Sequence, residues 1–100
     1  MEEMRKTSFG FMDIILKRNK KISSEYLIFN QEGRPHKHPY FESFFVFDGI
    51  GQIVVGEKTI DVKAGSLVTI PPNTTHWMIP KDGEMTGLLW YHDQEVQIHN

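Results

Sequence analysis

The chain contains 100 residues, of which 39% are hydrophobic and 24% are charged, and its formal net charge is −2. This composition is typical of a soluble globular protein, and the length predicts a single domain over residues 1–100 with a modest core. No apolar run approaches the roughly 20 residues of a membrane-spanning helix, and charges of both signs are interspersed. We therefore expect neither a membrane nor a nucleic acid as a partner.

The N-terminus and the absence of cysteine bear on the cellular compartment. Residues 1–7, Met-Glu-Glu-Met-Arg-Lys-Thr, include acidic side chains and lack an apolar block with a small-residue cleavage site, so a secretory signal is not expected. Without cysteine the chain can form neither disulfides nor thiolate metal sites. A cytoplasmic location is the prediction.

Short runs of strand-forming residues recur along the chain, separated by glycine, proline, asparagine or aspartate. The basic cluster at residues 17–21 is interpreted as a solvated hairpin turn rather than a phosphate-binding patch, and residues 56–57 and 63–65 are predicted as further turns. No helical period longer than about two turns competes with the strand pattern. The predicted strands are residues 9–16, 25–29, 43–47, 52–55, 59–62, 66–70, 75–79 and 86–91. Their number and spacing indicate an all-β sandwich or barrel.

Three potential metal ligands, His36, His38 and Glu42, occupy positions of the same parity. Side chains alternate between the faces of an extended strand, so these three can project toward a common point. Imidazole nitrogen and carboxylate oxygen suit divalent manganese, iron, cobalt, nickel or zinc. Their spacing alone leaves a second interpretation open, in which they are ordinary polar residues of an exposed loop.

This first stretch resembles motif one of the cupin superfamily, which has the pattern His-x-His, three or four residues, Glu, six residues, Gly. His36, His38, Glu42 and Gly49 match those positions. The motif's leading glycine is replaced by Asn30, so the turn that enters the motif is expected to be built differently.

A second stretch resembles cupin motif two, which has the pattern Gly, five residues, Pro-x-Gly, two residues, His, three residues, Asn. Gly65, Pro71 and His76 lie in its register, and His76 follows an apolar strand that the prolines end. Asn73 replaces the motif's second glycine and is expected to tolerate the positive φ of the turn. Pro80 replaces the final asparagine, which is not a ligand.

The resemblance implies a jelly-roll barrel, the double-stranded β-helix, in which one divalent transition metal is bound by His36, His38, Glu42 and His76. Four protein ligands leave two positions of a six-coordinate ion for water, oxygen or a bidentate substrate. Enzymes of the family include dioxygenases, decarboxylases, lyases and sugar isomerases. We therefore expect a metal-dependent dioxygenase, isomerase or lyase that acts on an oxygenated small molecule.

Two alternatives to an enzyme remain open at the level of the sequence. The same two stretches also resemble the effector-binding domain of arabinose-type transcription regulators, which would make the chain a small-molecule sensing or binding module. Those regulators carry a helix-turn-helix domain, and none is apparent in these 100 residues. A metal-free structural cupin is the third interpretation.

Parity extends the predicted site into a pocket and leaves aromatic side chains on the opposite faces. The predicted pocket residues are Tyr40, Phe44, Val46 and Met78, and plain core packing is the simpler interpretation of the last three. The outward-facing aromatic residues are predicted to be Phe41, Phe45, Phe47, Trp77 and Trp90. Such a surplus of exposed apolar area predicts a homodimer. His92 and His99, in the polar C-terminal segment, are assigned no role.

Overall fold

The computed structural model describes residues 4–18 and 21–93, and the regular structure within them is entirely β. The strands are β1 Arg5–Lys6, β2 Gly10–Arg18, β3 Lys21–Phe29, β4 Phe41–Val55, β5 Lys58–Lys63, β6 Leu67–Ile70 and β7 His76–His92. This confirms the all-β prediction. Across the same residues, no helix has the length and apolar character needed to cross a membrane.

The strands pair antiparallel in the order β1-β2-β3-β7-β4-β5, and β6 pairs with β4. The long strands β4 and β7, of 15 and 17 residues, pair from Phe41 and His92 at one end to Val55 and His76 at the other. The remaining strands extend this central ladder on both sides. The result is the jelly-roll barrel that the sequence predicted.

Strands β4 and β7 each join two segments that the sequence predicted as separate strands. The register of β4 against β7 is irregular on both sides of Asp48, and Gly49 follows with a φ of 90°. A Cβ at Gly49 would collide with the backbone carbonyl oxygen of Glu84 in β7. The glycine therefore permits a bulge and a bend without ending the ladder. The joined segments are residues 43–47 and 52–55 in β4, and residues 75–79 and 86–91 in β7.

The predicted turns agree with the structure where it describes them. Residues 56–57 and 64–65 form turns, and Lys63 is the last residue of β5. The basic turn lies partly outside the described residues, since residues 19–20 are not described. The pairing of β2 with β3 reaches Arg18 and Lys21 on either side of them.

The core is formed by side chains that alternate along strands β3 to β7 and point into the barrel. Phe44 and Val46 in β4 are fully buried, and the ring of Phe44 packs edge-on against Phe29 at a centroid distance of 6.0 Å. The buried hydrophobic cluster comprises Leu27, Phe29, Phe44, Val46, Ile53, Val62, Val68, Ile70, Met78, Met85 and Leu89. Because side chains alternate between the two faces of a strand, this cluster shows which residues near the site point into the barrel.

The connection between β3 and β4, residues 30–40, is tied to the region around the start of β7 by backbone hydrogen bonds. His36 and His76 exchange two such bonds, of 3.1 and 2.9 Å, in an isolated antiparallel bridge. The backbone nitrogen of Asn73 donates to the carbonyl of His38 at 2.7 Å. Asn73 has a φ of 57°, which agrees with the expectation that it takes the place of a turn glycine. These bonds bring the two motifs together.

Candidate metal centre

Four residues from three parts of the chain converge at one end of the barrel. His36 and His38 belong to the connection of residues 30–40, Glu42 is the second residue of β4, and His76 is the first of β7. One ligand atom from each residue can be chosen so that all four lie within 4.8 Å of one another. The four side chains therefore converge as predicted, but not because they share one face of a single strand. The parity argument assumed one extended strand from His36, whereas β4 begins at Phe41.

All three histidines are held by the same type of hydrogen bond. Nδ1 of His36 lies 2.9 Å from the carbonyl oxygen of Arg34, Nδ1 of His38 lies 2.9 Å from that of Tyr40, and Nδ1 of His76 lies 2.7 Å from that of Thr74. A carbonyl oxygen can only accept, so each Nδ1 carries the proton and donates it. In the neutral ring, Nε2 is therefore left with its lone pair available for a metal ion.

The carboxylate of Glu42 lies between two of these rings and is fully buried. Its Oε1 is 2.9 Å from Nε2 of His38 and 3.1 Å from Nε2 of His76. Two neutral rings would direct lone pairs at one carboxylate oxygen, which is repulsive, so the position between them favours a proton or another cation. Within the described residues, the second oxygen, Oε2, is buried and has no hydrogen-bond partner.

The pKa directions of Glu42 and His76 reflect this demand for positive charge. Burial alone would raise the pKa of Glu42, but hydrogen bonds and positive charge from His76 and His38 outweigh it and hold the pKa below its ordinary value. Burial alone would lower the pKa of His76, but Glu42 and the carbonyl of Thr74 raise it. Three nitrogens that have a lone pair in the neutral ring, an ionised carboxylate and an unpartnered buried oxygen fit a divalent transition metal.

A cavity of about 320 Å³ adjoins the cluster, and His36 and Glu42 form part of its wall. Most of the wall is apolar and comes from the inward faces of β2, β3 and β7, and Arg34 contributes an exposed cationic side chain. This volume is near the lower end of the range for small-molecule sites. The cluster and the cavity therefore form one candidate site.

The structure divides the four predicted pocket residues among different surroundings. Met78 lines the cavity. Tyr40 is 39% exposed and stacks on His38 with a centroid distance of 4.3 Å, outside the residues that form the cavity wall. Phe44 and Val46 point inward but lie in the core and do not form the wall. Parity gives the face on which a side chain lies, but not its depth along the barrel.

Trp77 was predicted to point outward with the surplus aromatic residues, and the structure corrects this. Its side chain is half-buried, lines the cavity, and donates a hydrogen bond from Nε1 to Glu32 Oε2 at 2.9 Å. The connection of residues 30–40, which carries Glu32, covers the face of β7 that would otherwise meet solvent. Alternation along a strand could not reveal that this connection covers Trp77.

Two further polar residues of the wall, Glu25 and Tyr91, were not found by the sequence interpretation. Glu25 is 6% exposed, and the hydroxyl of Tyr91 donates to its Oε1 at 3.0 Å. Burial raises the pKa of Glu25, and so does the negative charge of Glu42; the Tyr91 hydrogen bond opposes them. Burial and the charges of both carboxylates raise the pKa of Tyr91, so the phenol keeps its proton. Glu25 lies two residues before the apolar Leu27 and therefore on the same face of the strand. This alternation is a signal in the sequence that could have placed Glu25 inside the barrel.

Comparison with known proteins assigns the fold family. The profile of the cupin domain matches residues 27–92, which is more than half of the chain. The chain belongs to the cupin family. No curated protein matches the sequence.

Solved structures resemble this one closely in fold but not in sequence. The protein plu4264 from Photorhabdus luminescens is 18% identical, with a TM-score of 0.79 over 92% of this chain and 82% of that one. A predicted oxalate decarboxylase from Thermotoga maritima is 14% identical, with a TM-score of 0.76 over 93% and 100% of the two chains. Oxalate decarboxylase from Bacillus subtilis is 18% identical, with a TM-score of 0.77 over 92% of this chain but 28% of that one. At these identities the likeness shows the fold alone.

Proposed function

We propose that this cupin is a metal-dependent enzyme that acts on an oxygenated small molecule in the cavity beside His36, His38, Glu42 and His76. One observation carries the proposal. Three imidazoles donate Nδ1 to carbonyl oxygens, which makes Nε2 of each neutral ring the potential ligand atom, and the rings lie around a buried carboxylate that has an unpartnered oxygen. Structural metal sites are usually closed, whereas this cluster borders a cavity.

A bound divalent ion would supply Lewis acidity, acidify a bound water or, if it is iron, allow chemistry with dioxygen. The protein's own residues supply the surroundings. The apolar wall limits the access of water, and the exposed side chain of Arg34 gives a cationic group for an acidic substrate. Dioxygenase, isomerase and lyase chemistry are all compatible with this arrangement, and the fold does not choose among them.

Metal content is the first test. The full chain, loaded separately with manganese, iron, cobalt, nickel and zinc, should retain about one ion per chain after desalting. His36→Ala combined with His76→Ala should abolish this retention, because two of three nitrogen ligands are removed. Glu57→Gln, which changes an exposed carboxylate in the turn after β4, is the matched control. Equal metal content in the double variant and the control would refute the assignment.

Turnover is the second test. Each metal form is incubated with enediols, keto acids, diphenols and hydroxy acids, and product formation, oxygen uptake and melting temperature are recorded together. Oxygen uptake by the iron form alone would identify a dioxygenase, and turnover by several metal forms without oxygen would favour an isomerase or lyase. A rise in melting temperature without product would instead identify a binding module. At a ligand concentration one hundred times the dissociation constant, the folded protein should be stabilised by about 2.7 kcal/mol.

We also propose that the protein is a homodimer that packs through its outer face. Tyr26, Leu88, Phe45 and Leu67 lie in register across β3, β7, β4 and β6 on the face opposite the core. Leu67 is 47% exposed and the neighbouring Phe47 is 46% exposed. A continuous apolar row on one face is suited to packing against the same row of a second copy about a twofold axis.

A further inference from the structure

A second polar group, distant in sequence from the four candidate ligands, forms part of the cavity wall. Glu25 in β3 and Tyr91 in β7 both line the cavity, and the phenol donates to the carboxyl at 3.0 Å. Leu89, which pairs directly with Glu25 across the two strands, and Leu27, on the same face of β3, are buried and line the same cavity. The pair is therefore a polar feature in an otherwise apolar part of the wall.

The pair is not satisfied by the protein itself. In the part of the chain that the structure describes, Tyr91 is the one hydrogen-bond donor to the side chain of Glu25. Glu25 lines the cavity and its second oxygen is not sealed off by the protein, so this oxygen can still accept hydrogen bonds, of which a carboxylate accepts about four. Tyr91 has used its only proton on Glu25, so the lone pairs of its oxygen remain free to accept. The wall at this point consequently offers acceptors.

The acceptors decide which ligand group can bind there. A second carboxylate would place its negative charge directly beside the carboxylate of Glu25, which is unfavourable at low dielectric. An ammonium group would share the cavity with a divalent ion, which repels it. A hydroxyl group carries no charge and donates the hydrogen bond that the pair lacks.

We propose that the Glu25–Tyr91 pair binds a hydroxyl group of the substrate, so that the cavity selects hydroxylated small acids over dicarboxylates. This inference rests on the proposed function, because the other end of the substrate is assigned to the metal centre. The pair acts through binding, and it sets specificity by accepting a hydrogen bond and by repelling a second anion.

The experiment compares ligands that differ at one end only. Nickel-loaded protein is titrated calorimetrically at pH 8 with three matched pairs, 3-hydroxypropanoate and malonate, 4-hydroxybutanoate and succinate, and 5-hydroxypentanoate and glutarate. For the chain length that spans the cavity, the hydroxy acid should bind about tenfold or more tightly than the dicarboxylate, as expected for one hydrogen bond to a charged group. The ω-amino acid of the same length should bind less tightly than the hydroxy acid.

Two variants test whether the pair is responsible. In Glu25→Gln the amide is neutral and can donate, so the preference should fall to about threefold or less through tighter binding of the dicarboxylate. Tyr91→Phe removes one acceptor and should weaken the hydroxy acid alone, and it serves as the test should Glu25→Gln fail to fold. Glu57→Gln removes the same charge from an exposed turn and should leave every affinity unchanged.

The result that overturns the inference differs from the result that overturns the proposed function. Equal affinities within every pair, tighter binding of the amino acid, or an unchanged preference in both variants would refute the role of the pair. Metal content, measured on the same samples, tests the proposed function separately. If the wild type retained no metal, the same titrations on the metal-free protein would still measure the preference, and its absence would count against the pair.

Discussion

The contact between Glu42 and His76 makes a proton and a metal ion compete for one position. Both side chains are fully buried, and their closest atoms are 3.1 Å apart. In the metal-free protein, the pKa of His76 is raised above its ordinary 6.5, and that of Glu42 is lowered below its ordinary 4.5. We predict that the two forms respond to pH differently: the metal-free protein loses stability as pH rises above about 6.5, whereas the metal-loaded protein does not and instead loses stability as pH falls below about 6.5.

The sign follows from each shift. The raised pKa of His76 contributes stability that is fully present below pH 6.5 and is lost as pH rises through the folded-state pKa. The lowered pKa of Glu42 contributes stability that is present above pH 4.5 and is lost as pH falls through its folded-state value. The two statements describe one interaction, so the metal-free protein gains most from it between pH 4.5 and 6.5.

Metal binding cancels this loss of stability at higher pH, because it needs the neutral ring. Below the raised pKa of His76, one proton must leave for each ion bound, so apparent affinity falls about tenfold, or about 1.4 kcal/mol, per pH unit. In a domain of this size 1 kcal/mol corresponds to about 4–8 °C in Tm. The rise in Tm caused by the metal should therefore shrink by roughly 6–11 °C for each pH unit lowered in this range.

Differential scanning fluorimetry from pH 5 to pH 8.5, with and without nickel, measures this difference directly. Glu57→Gln should reproduce the wild-type difference at every pH, and Glu42→Gln should remove most of it. Parallel curves for the metal-free and metal-loaded wild type would show that no proton is displaced by the ion. That outcome would refute the competition at His76, whatever the metal content of the protein.

Two further predictions concern the fold and its assembly. Gly49→Ala should lower the free energy of unfolding by well over 1 kcal/mol in urea titrations, because its φ is 90° and a Cβ meets the backbone of β7. Gly65→Ala, also at positive φ but with open space around the Cβ, should cost less, and equal losses would contradict the steric argument. Phe47→Glu combined with Leu67→Glu should convert the dimer to a monomer by light scattering, and a wild-type monomer at tens of micromolar would refute the dimer.

The candidate ligands could be predicted because residue type and spacing are local properties of the chain. The way in which they converge could not. His36 and His38 reach the site through a connection that is held by β7, and those backbone bonds join positions about 40 residues apart. The same limit explains Trp77, whose burial depends on Glu32 in that connection. Local parity describes one strand and contains no information on what crosses over it.

The continuity of the long strands β4 and β7 could not be predicted for a related reason. Glycine interrupts a strand pattern whether it ends the strand or forms a bulge inside it. At Gly49 the outcome is decided by β7, which lies close against it and continues the pairing on both sides. The hydrogen bond from Tyr91 to Glu25 spans 66 residues and depends on the register of β3 against β7, which no local pattern specifies.

Glu25 and Glu42 are the same residue type in one cavity, but their neighbours give them opposite pKa shifts. Two histidines hold Glu42 ionised despite its burial, whereas Glu25 has a neutral phenol as its partner, and burial raises its pKa. We therefore expect the isosteric substitutions to differ: Glu42→Gln should lose the metal ion, and Glu25→Gln should keep it and change ligand preference. Metal analysis and calorimetry on the two purified variants test this. Loss of metal from both would show that the two carboxyls act as one coupled site.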